Sequence, residues 1–296
     1  MSEYDSFTRY LNAKKSVDDR ALNQAVWAQM AAAWPHGGRV LEVGAGTGTM
    51  IARLQAAGLL QKGVYTAVDA DPANIAAARE RWAGNLPGVV LELETEDLFS
   101  FISRRGGERW DVLFAHAFLD LMDIPATLPL LFKLLRPDGQ FYFTINFDGE
   151  TIFEPAIEPA LDADIIHRYH RTMDRREVGG RPSGDSRSGR HLFTHIPAAG
   201  GQILAAGSSD WVVHSVAGGY PADEAYFLHF IIETVRRALA LEPDLDQERF
   251  TRWIKARHEQ IERGELVYIA HQLDFWGRIG PNNTDSLSGN TLQPRN

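Results

Sequence analysis

The chain has 296 residues, with 30 Lys and Arg against 39 Asp and Glu, a formal net charge of −9 and no cysteine. Without cysteine there is no disulfide, no thiolate nucleophile and no Cys-based zinc or iron–sulfur site. The acidic balance argues against broad nucleic-acid binding, which takes a basic surface to displace counterions. No apolar run approaches the length of a membrane span, and residues 1–16 lack the apolar core of a secretory leader. The expected setting is the cytoplasm, with no membrane and no nucleic acid as partner.

Residues 6–34 carry Phe7, Tyr10, Leu11, Leu22, Val26, Trp27 and Met30 at helical spacing. The charged run Val17-Asp18-Asp19-Arg20 predicts a break between two short helices, and Pro35 with Gly37 and Gly38 closes the region. From there short β-branched runs at 39–43, 64–68, 89–93, 111–115 and 140–145 alternate with helical stretches near 49–58, 72–84, 97–104 and 124–136. Strands alternating with helices mean βαβ units, hence a mostly parallel sheet covered on both faces, with right-handed crossovers.

After Phe147 the alternation stops. A helix is expected over 161–178. Gly179 to Arg190, with three arginines and no large apolar side chain, reads as a mobile loop or lid. A short helix near 190–196, extended segments near 202–206 and 210–215, and amphipathic helices over 222–240 and 246–263 follow, with Leu266–Ile269 as the last strand. The tail beyond Gly280 has no apolar periodicity and is expected to be disordered.

The most informative segment is Arg39-Val-Leu-Glu-Val-Gly-Ala-Gly-Thr-Gly-Thr49. A buried strand runs through glycines at 44, 46 and 48 into a helix, so the backbone can turn sharply and a ligand can lie against it. A dinucleotide site wants G-x-G-x-x-G, and the third position here is Thr49. Glu42, two residues before the first glycine, repels a pyrophosphate and suits a ligand carrying an ammonium group. S-adenosylmethionine has one, together with a sulfonium.

The E-x-G-x-G-x-G pattern at the end of the first strand resembles motif I of class I S-adenosylmethionine-dependent methyltransferases. The resemblance continues in order through Tyr65-Thr-Ala-Val-Asp-Ala-Asp-Pro72, Glu94-Thr-Glu-Asp-Leu98 and Leu134-Leu-Arg-Pro-Asp-Gly139, covering about residues 37–147. It implies a doubly wound, Rossmann-like α/β fold: a seven-stranded, mostly parallel sheet with a reversed last strand. It also implies S-adenosyl-L-methionine as cofactor and S-adenosyl-L-homocysteine as product. By the same resemblance Glu42, Gly44, Ala45, Gly46 and Gly48 bind the cofactor at the first turn. Asp69, followed by Ala70, holds the ribose hydroxyls bidentately, while Asp97 and Leu98 meet the adenine. Asp71 reads as an N-cap before Pro72, and Asp97 fits a cap as well as it fits a ligand.

Ligands of doubly wound sheets sit at the carboxyl ends of the strands, which places His116 and Asp120 at the mouth of the site. Both are catalytic candidates, His116 as general base or cofactor contact, or else as a packed histidine holding a loop. The N-P-P-Y type motif of many methyltransferases of nucleic acids and proteins is missing there. The expected reaction is methyl transfer to a small molecule, most readily at oxygen, with nitrogen or carbon acceptors and a non-catalytic regulator as alternatives. Tyr10, Lys14 and Arg20 could close over the cofactor, and Arg187 or Arg190 could meet an acidic group from the loop. His191 and His195 have the spacing of a zinc-binding helix but lack the glutamate between them, so no metal is expected. The expected organisation is an N-terminal helical lid over 1–36, a cofactor-binding core over 37–147, covering helices and last strands of the same domain over 148–278, and the tail over 279–296. The apolar face of 222–240, with Phe227, Phe230, Ile231 and Val235, must be buried, within the chain or in a homodimer.

Overall fold

The structure is a computed structural model, described here over residues 4–280; the tail expected to be disordered lies outside the described residues. Two helices, α1 (Phe7–Ala21) and α2 (Gln24–Ala32), precede the first strand. The βαβ units follow as β1 (Arg39–Val43), α3 (Thr49–Ala56), β2 (Gly63–Asp69), α4 (Pro72–Trp82), β3 (Val89–Thr95), α5 (Leu98–Arg105), β4 (Trp110–His116), α6 (Ile124–Phe132) and β5 (Leu135–Glu154). A single 3₁₀ turn at Leu119–Leu121 lies between β4 and α6. Next come α7 (Pro159–Asp174), a small hairpin of β6 (Glu177–Val178) and β7 (Arg181–Pro182), and α8 (Ser188–Ala198). The chain continues through β8 (Gly201–Ser208), β9 (Trp211–Val213), α9 (Glu224–Leu239), α10 (Gln247–Glu262) and β10 (Val267–Ile279).

The main sheet runs β3-β2-β1-β4-β5-β10-β8, with β9 pairing β10 as an eighth strand beyond the seven expected. Strands β1 to β5 are parallel. The last strand, β10, runs antiparallel to both β5 and β8, the reversal the sequence led us to expect. Apolar side chains of β1, β4 and β5 pack beneath α2, α3 and α4 on one face and α5, α6 and α8 on the other. A third cluster lies beyond the sheet proper, where α1, α7, α9 and α10 close on the far halves of β5 and β10.

Three expectations are corrected. Val17 to Arg20 lie inside α1 and do not break it: Lys14–Asp18 and Lys15–Asp19 are ion pairs one turn apart that support the helix. The break falls at Leu22–Asn23, where the Asn23 side chain caps α2 by accepting from the Val26 N–H. The strand rhythm also survives Phe147. β5 continues to Glu154 through two bulges, one with Ile145 at φ 58° and one around Gly149 at φ 86°, and its far half pairs with β10. Finally, the 179–190 segment is docked. Gly184 N–H donates to Met122 O and Ser183 Oγ to Leu121 O, and residues 188–190 already belong to α8.

The apolar face of α9 is buried inside the chain, with Phe227, Ile232 and Val235 at zero exposure, so no second copy is needed to cover it.

Candidate active site

The glycine loop is built as its sequence dictates. Gly44, Gly46 and Gly48 all take positive φ (65°, 53° and 76°), a region that favours glycine. Three contacts fix the loop. Ala45 N–H donates to Val68 O, Gly48 N–H to Ala45 O, and Gly46 N–H to Asp69 Oδ2 at 2.8 Å. The other Asp69 oxygen accepts from Asp71 N–H at 2.9 Å and Asn74 Nδ2 at 3.2 Å. A carboxylate has about four lone-pair sites, so one is left for an outside donor where bidentate use was expected. A Cβ added at Gly44 would lie 2.2 Å from Phe118 Cδ2, while one at Gly46 would meet Leu11 of α1. The backbone cradle is therefore roofed by α1 and walled by Phe118.

From this crevice a cavity of about 740 Å³ runs beneath α1 and α9 to the far half of β10. Glu42, Gly44, Ala45, Gly46, Asp69, Ala70, Asp97, Leu98, His116 and Asp120 all line it. Gly48 does not. Its carbonyl accepts from Trp82 Nε1, and a Cβ there would strike that indole, so its role is to turn and pack the loop. Asp71 caps α4 by accepting from Ala73 N–H. Asp97 caps α5, accepting from Phe99 N–H, Ser100 N–H and Ser100 Oγ.

Glu42 is buried and accepts a hydrogen bond of 2.7 Å from Tyr65 Oη; burial pushes its carboxyl up to about 7. The nearby Arg39 is not its partner and pairs with Glu108 instead.

His116 stands at the end of β4 with both ring nitrogens engaged. Nε2 lies 2.9 Å from Asp18 Oδ2 and Nδ1 2.7 Å from Thr144 Oγ1. Arg53 Nη1 also lies 3.2 Å from Nε2, so that nitrogen faces both a carboxylate and a guanidinium, and in either tautomer both ring nitrogens are taken up by protein groups. Burial, and then the Arg53 charge, push the imidazole down to about 4. No ring lone pair is left for a reacting molecule, so the general base expected at His116 has nothing to accept with. Asp18 is the hub of this network, also accepting from Lys14 Nζ at 2.5 Å and Trp211 Nε1 at 2.8 Å. Burial opposes its charge, yet Lys14, His116 and Arg53 together hold its carboxyl well below the usual range.

Asp120, on the 3₁₀ turn, differs. Its Oδ1 has no hydrogen-bond partner, and burial raises its carboxyl above the ordinary value. Arg176 sits beside it, its Nη2 donating to Asp120 O at 2.6 Å and its Nε to Ser183 O at 2.7 Å. Ala117 (φ 49°) and Ile145 (φ 58°), at the ends of β4 and β5, also line the cavity. Left-handed backbone at a β-branched residue costs energy and persists only where neighbours enforce it. Thr144 O and Asp274 Oδ1 enforce it by accepting the two N–H groups.

Of the cover residues, Tyr10 and Lys14 reach the cavity, whereas Arg20 pairs with Glu224 outside it. Arg190 is held by Asp148 through its backbone N–H and its Nε, and neither it nor Arg187 lines the cavity. Arg176 takes the place expected of them, and nothing in its sequence context signals this. Tyr169, Tyr268 and Gln272 were also missed, although alternation on β10 puts Tyr268, Ala270 and Gln272 on one buried face. Trp211 and Phe230 line the cavity, while Tyr226 and Phe227 are core. His191 pairs with Asp185, and no group of three or more metal-ligating side chains occurs among the described residues.

Residues 41–141 match the family model for a methyltransferase domain, and this segment holds the glycine loop, Asp69, Asp97, His116 and Asp120. Residues 41–141 are a methyltransferase domain. The domain is of the class I, S-adenosylmethionine-dependent kind, and S-adenosylmethionine is its cofactor. The match spans about a third of the chain, ending inside β5. The methyltransferase domain's crevice fits that cofactor, since bare glycine backbone at Gly44 and Gly46 lines it and Glu42 presents a carboxylate. No curated protein matches the chain. Among solved structures, the chain is similar to an S-adenosylmethionine-dependent methyltransferase from Thiobacillus denitrificans in complex with S-adenosyl-L-homocysteine, at 16% identity over 92% of this chain and 98% of that one, with a TM-score of 0.43. It is also similar to the cyclopropane synthase MmaA2 from Mycobacterium tuberculosis, at 11% identity over 94% and 100%, with a TM-score of 0.47. Neither score carries an argument about this chain.

Proposed function

We propose that the protein transfers the methyl group of S-adenosylmethionine to a hydroxyl of a small molecule, with Asp120 taking the proton. The observation that carries this reading is a continuous cavity of about 740 Å³ joining the glycine-loop crevice to a chamber beneath α1 and α9. That volume is within the ordinary range of ligand pockets, ~300–1,000 Å³. Bound there, S-adenosylmethionine would supply an electrophilic methyl group and leave as S-adenosylhomocysteine.

The rest falls to the chain. Glu42 and the loop at Gly44, Ala45 and Gly46 would hold the amino-acid end, Asp69 with Ala70 the ribose, and Asp97 and Leu98 the adenine side. Asp120 Oδ1 would accept a hydrogen bond from the acceptor hydroxyl and then its proton, a role that suits an unpartnered carboxylate with a raised pKa. His116, fixed between Asp18 and Thr144, would hold the end of β4 in place. The walls beneath α1 and α9 would hold the two reactants in contact.

The test is calorimetric titration with S-adenosylmethionine, S-adenosylhomocysteine and NADH, repeated on Asp69→Ala, followed by methyl transfer from labelled S-adenosylmethionine to phenols, carboxylates and amines. The reading expects micromolar binding of the first two ligands, lost in D69A, and transfer to a hydroxyl compound. Transfer to amines alone would overturn the oxygen assignment. Donor binding without transfer to any compound would favour a regulator.

A further inference from the structure

The chamber beyond the cofactor crevice contains polar groups that the protein itself leaves unpaired. The hydroxyls of Tyr10 (α1), Tyr169 (α7) and Tyr268 (β10) line it, and none has a hydrogen-bond partner among the described residues. Gln272, on the same face of β10 as Tyr268, is 1% exposed; its Oε1 is unpartnered, and its Nε2, the donor of the amide, makes no hydrogen bond among the described residues. Leaving a buried polar group unpaired costs about 1–3 kcal/mol. Gln272 Oε1 is such a group, and the three phenol hydroxyls open onto the cavity beside it, a set of donors that a ligand with matching oxygens would engage.

The set has a direction. Burial pushes all three phenols up, Tyr169 to about 12, so they stay neutral O–H donors. Two carboxylates border the set: Asp18, which acts on Tyr10 and is already taken up by Lys14, His116 and Trp211, and Asp120, which acts on Tyr169 and Tyr10. Lys14 and Arg176 are the cations that line the chamber. Aromatic side chains form its walls, Phe147, Trp211 and Phe230 among them, with the Tyr10 ring stacked 4.1 Å from Phe230. Such walls suit a flat apolar body.

We propose that the acceptor is an aromatic hydroxy acid or a close oxygen-bearing analogue, whose reacting hydroxyl faces Asp120 while its second oxygen function accepts from the hydroxyls of Tyr10, Tyr169 and Tyr268 and from Gln272 Nε2. This rests on the reading of the site as a hydroxyl methyltransferase and adds the class of acceptor. A site built to hydrogen-bond a ligand oxygen rejects the analogue that lacks it, because its own buried groups then go unpaired.

The experiment titrates the protein, saturated with S-adenosylhomocysteine, with 4-hydroxybenzoate, 4-hydroxyphenylacetate and 4-hydroxycinnamate, then with 4-ethylphenol and tyramine. At least one acid should bind about tenfold tighter than 4-ethylphenol. Tyr268→Phe and Gln272→Met should each shrink that gap while S-adenosylhomocysteine binding, the control for folding, stays unchanged. Equal binding of acids and 4-ethylphenol, a gap the variants leave intact, or a preference for tyramine would overturn the proposal. If S-adenosylhomocysteine fails to bind, the methyltransferase reading falls, and the same titrations on the free protein still test the cradle. If the acids bind as expected but take no methyl group, the cradle stands and the reaction assigned to it does not.

Discussion

Asp18 Oδ2 lies 2.9 Å from His116 Nε2, so a residue about three turns along the N-terminal helix fixes the imidazole at the end of β4. The same carboxylate holds Lys14, which is buried at 4% exposure, and Trp211 of β9. Three elements that roof or border the cavity therefore meet at one side chain.

Asp18→Ala should cost about 3–5 kcal/mol, because it leaves Lys14 buried without its counter-charge. Asp18→Asn, which keeps a hydrogen-bond acceptor for Trp211, should cost less. Urea unfolding of the two variants checks the order. Limited proteolysis should find α1 cleaved faster in both.

Glu42 gives a pH signature to cofactor binding. With its carboxyl near 7, it is partly protonated in the free protein at neutral pH. An ammonium group placed against it favours the ionised form, so binding of S-adenosylhomocysteine at pH 7 should release a proton. Calorimetry in buffers of different ionisation enthalpy measures that release, and Glu42→Gln should abolish it. The same residue bears on stability. Its folded pKa is raised above the ordinary 4.5, so its contribution is fully present below 4.5 and is lost as pH rises through about 7. E42Q should flatten the stability profile in that window.

Gly44→Ala brings a Cβ to 2.2 Å from Phe118 Cδ2 at φ 65°, a backbone region unfavourable to alanine. Phe118 must move, and the cradle with it. S-adenosylhomocysteine affinity should fall about tenfold or more, and a crystal structure of the variant should place the Phe118 ring elsewhere.

Asp120→Asn removes the proton acceptor while keeping shape. The transfer rate should drop by about 10²–10⁴, the range for loss of general acid–base catalysis. The wild-type rate should fall at acid pH as Asp120 is protonated, above the usual carboxylate value because burial raises it. D120N should lack that limb, and His116→Gln should keep it.

How far the sequence could be read depends on what kind of interaction sets each part. The βαβ core was legible, because short β-branched runs alternating with helical stretches and the Asp71-Pro72 and Asp97 caps are local signals. Asp138 at φ 60° shows the same locality: the Pro137-Asp138-Gly139 turn uses an aspartate, which tolerates left-handed backbone. The cavity lining within 42–98 was legible for the same reason, except that Gly48 faces Trp82. What stayed hidden depends on contacts far apart in the chain. The engagement of both His116 nitrogens needs Asp18 and Thr144, 98 and 28 residues away. Arg176 reaches the site because the following segment docks on the 119–122 turn, and no local pattern encodes that docking. The bulges at Ile145 and Gly149 disguised one strand of 20 residues as a shorter strand and a loop.

That long strand has a consequence for how the protein could change its substrate. β5 begins inside the segment that matches the methyltransferase domain and ends beyond it, and β10 returns alongside. Tyr169, Tyr268 and Gln272 lie past the matched segment, while Glu42, Asp69 and Asp97 lie within it. The two strands thus act like rails, rigid at the donor end and free to carry a different set of side chains at the other. Replacing what stands on the distal rails would alter the choice of acceptor and leave the grip on the methyl donor as it is.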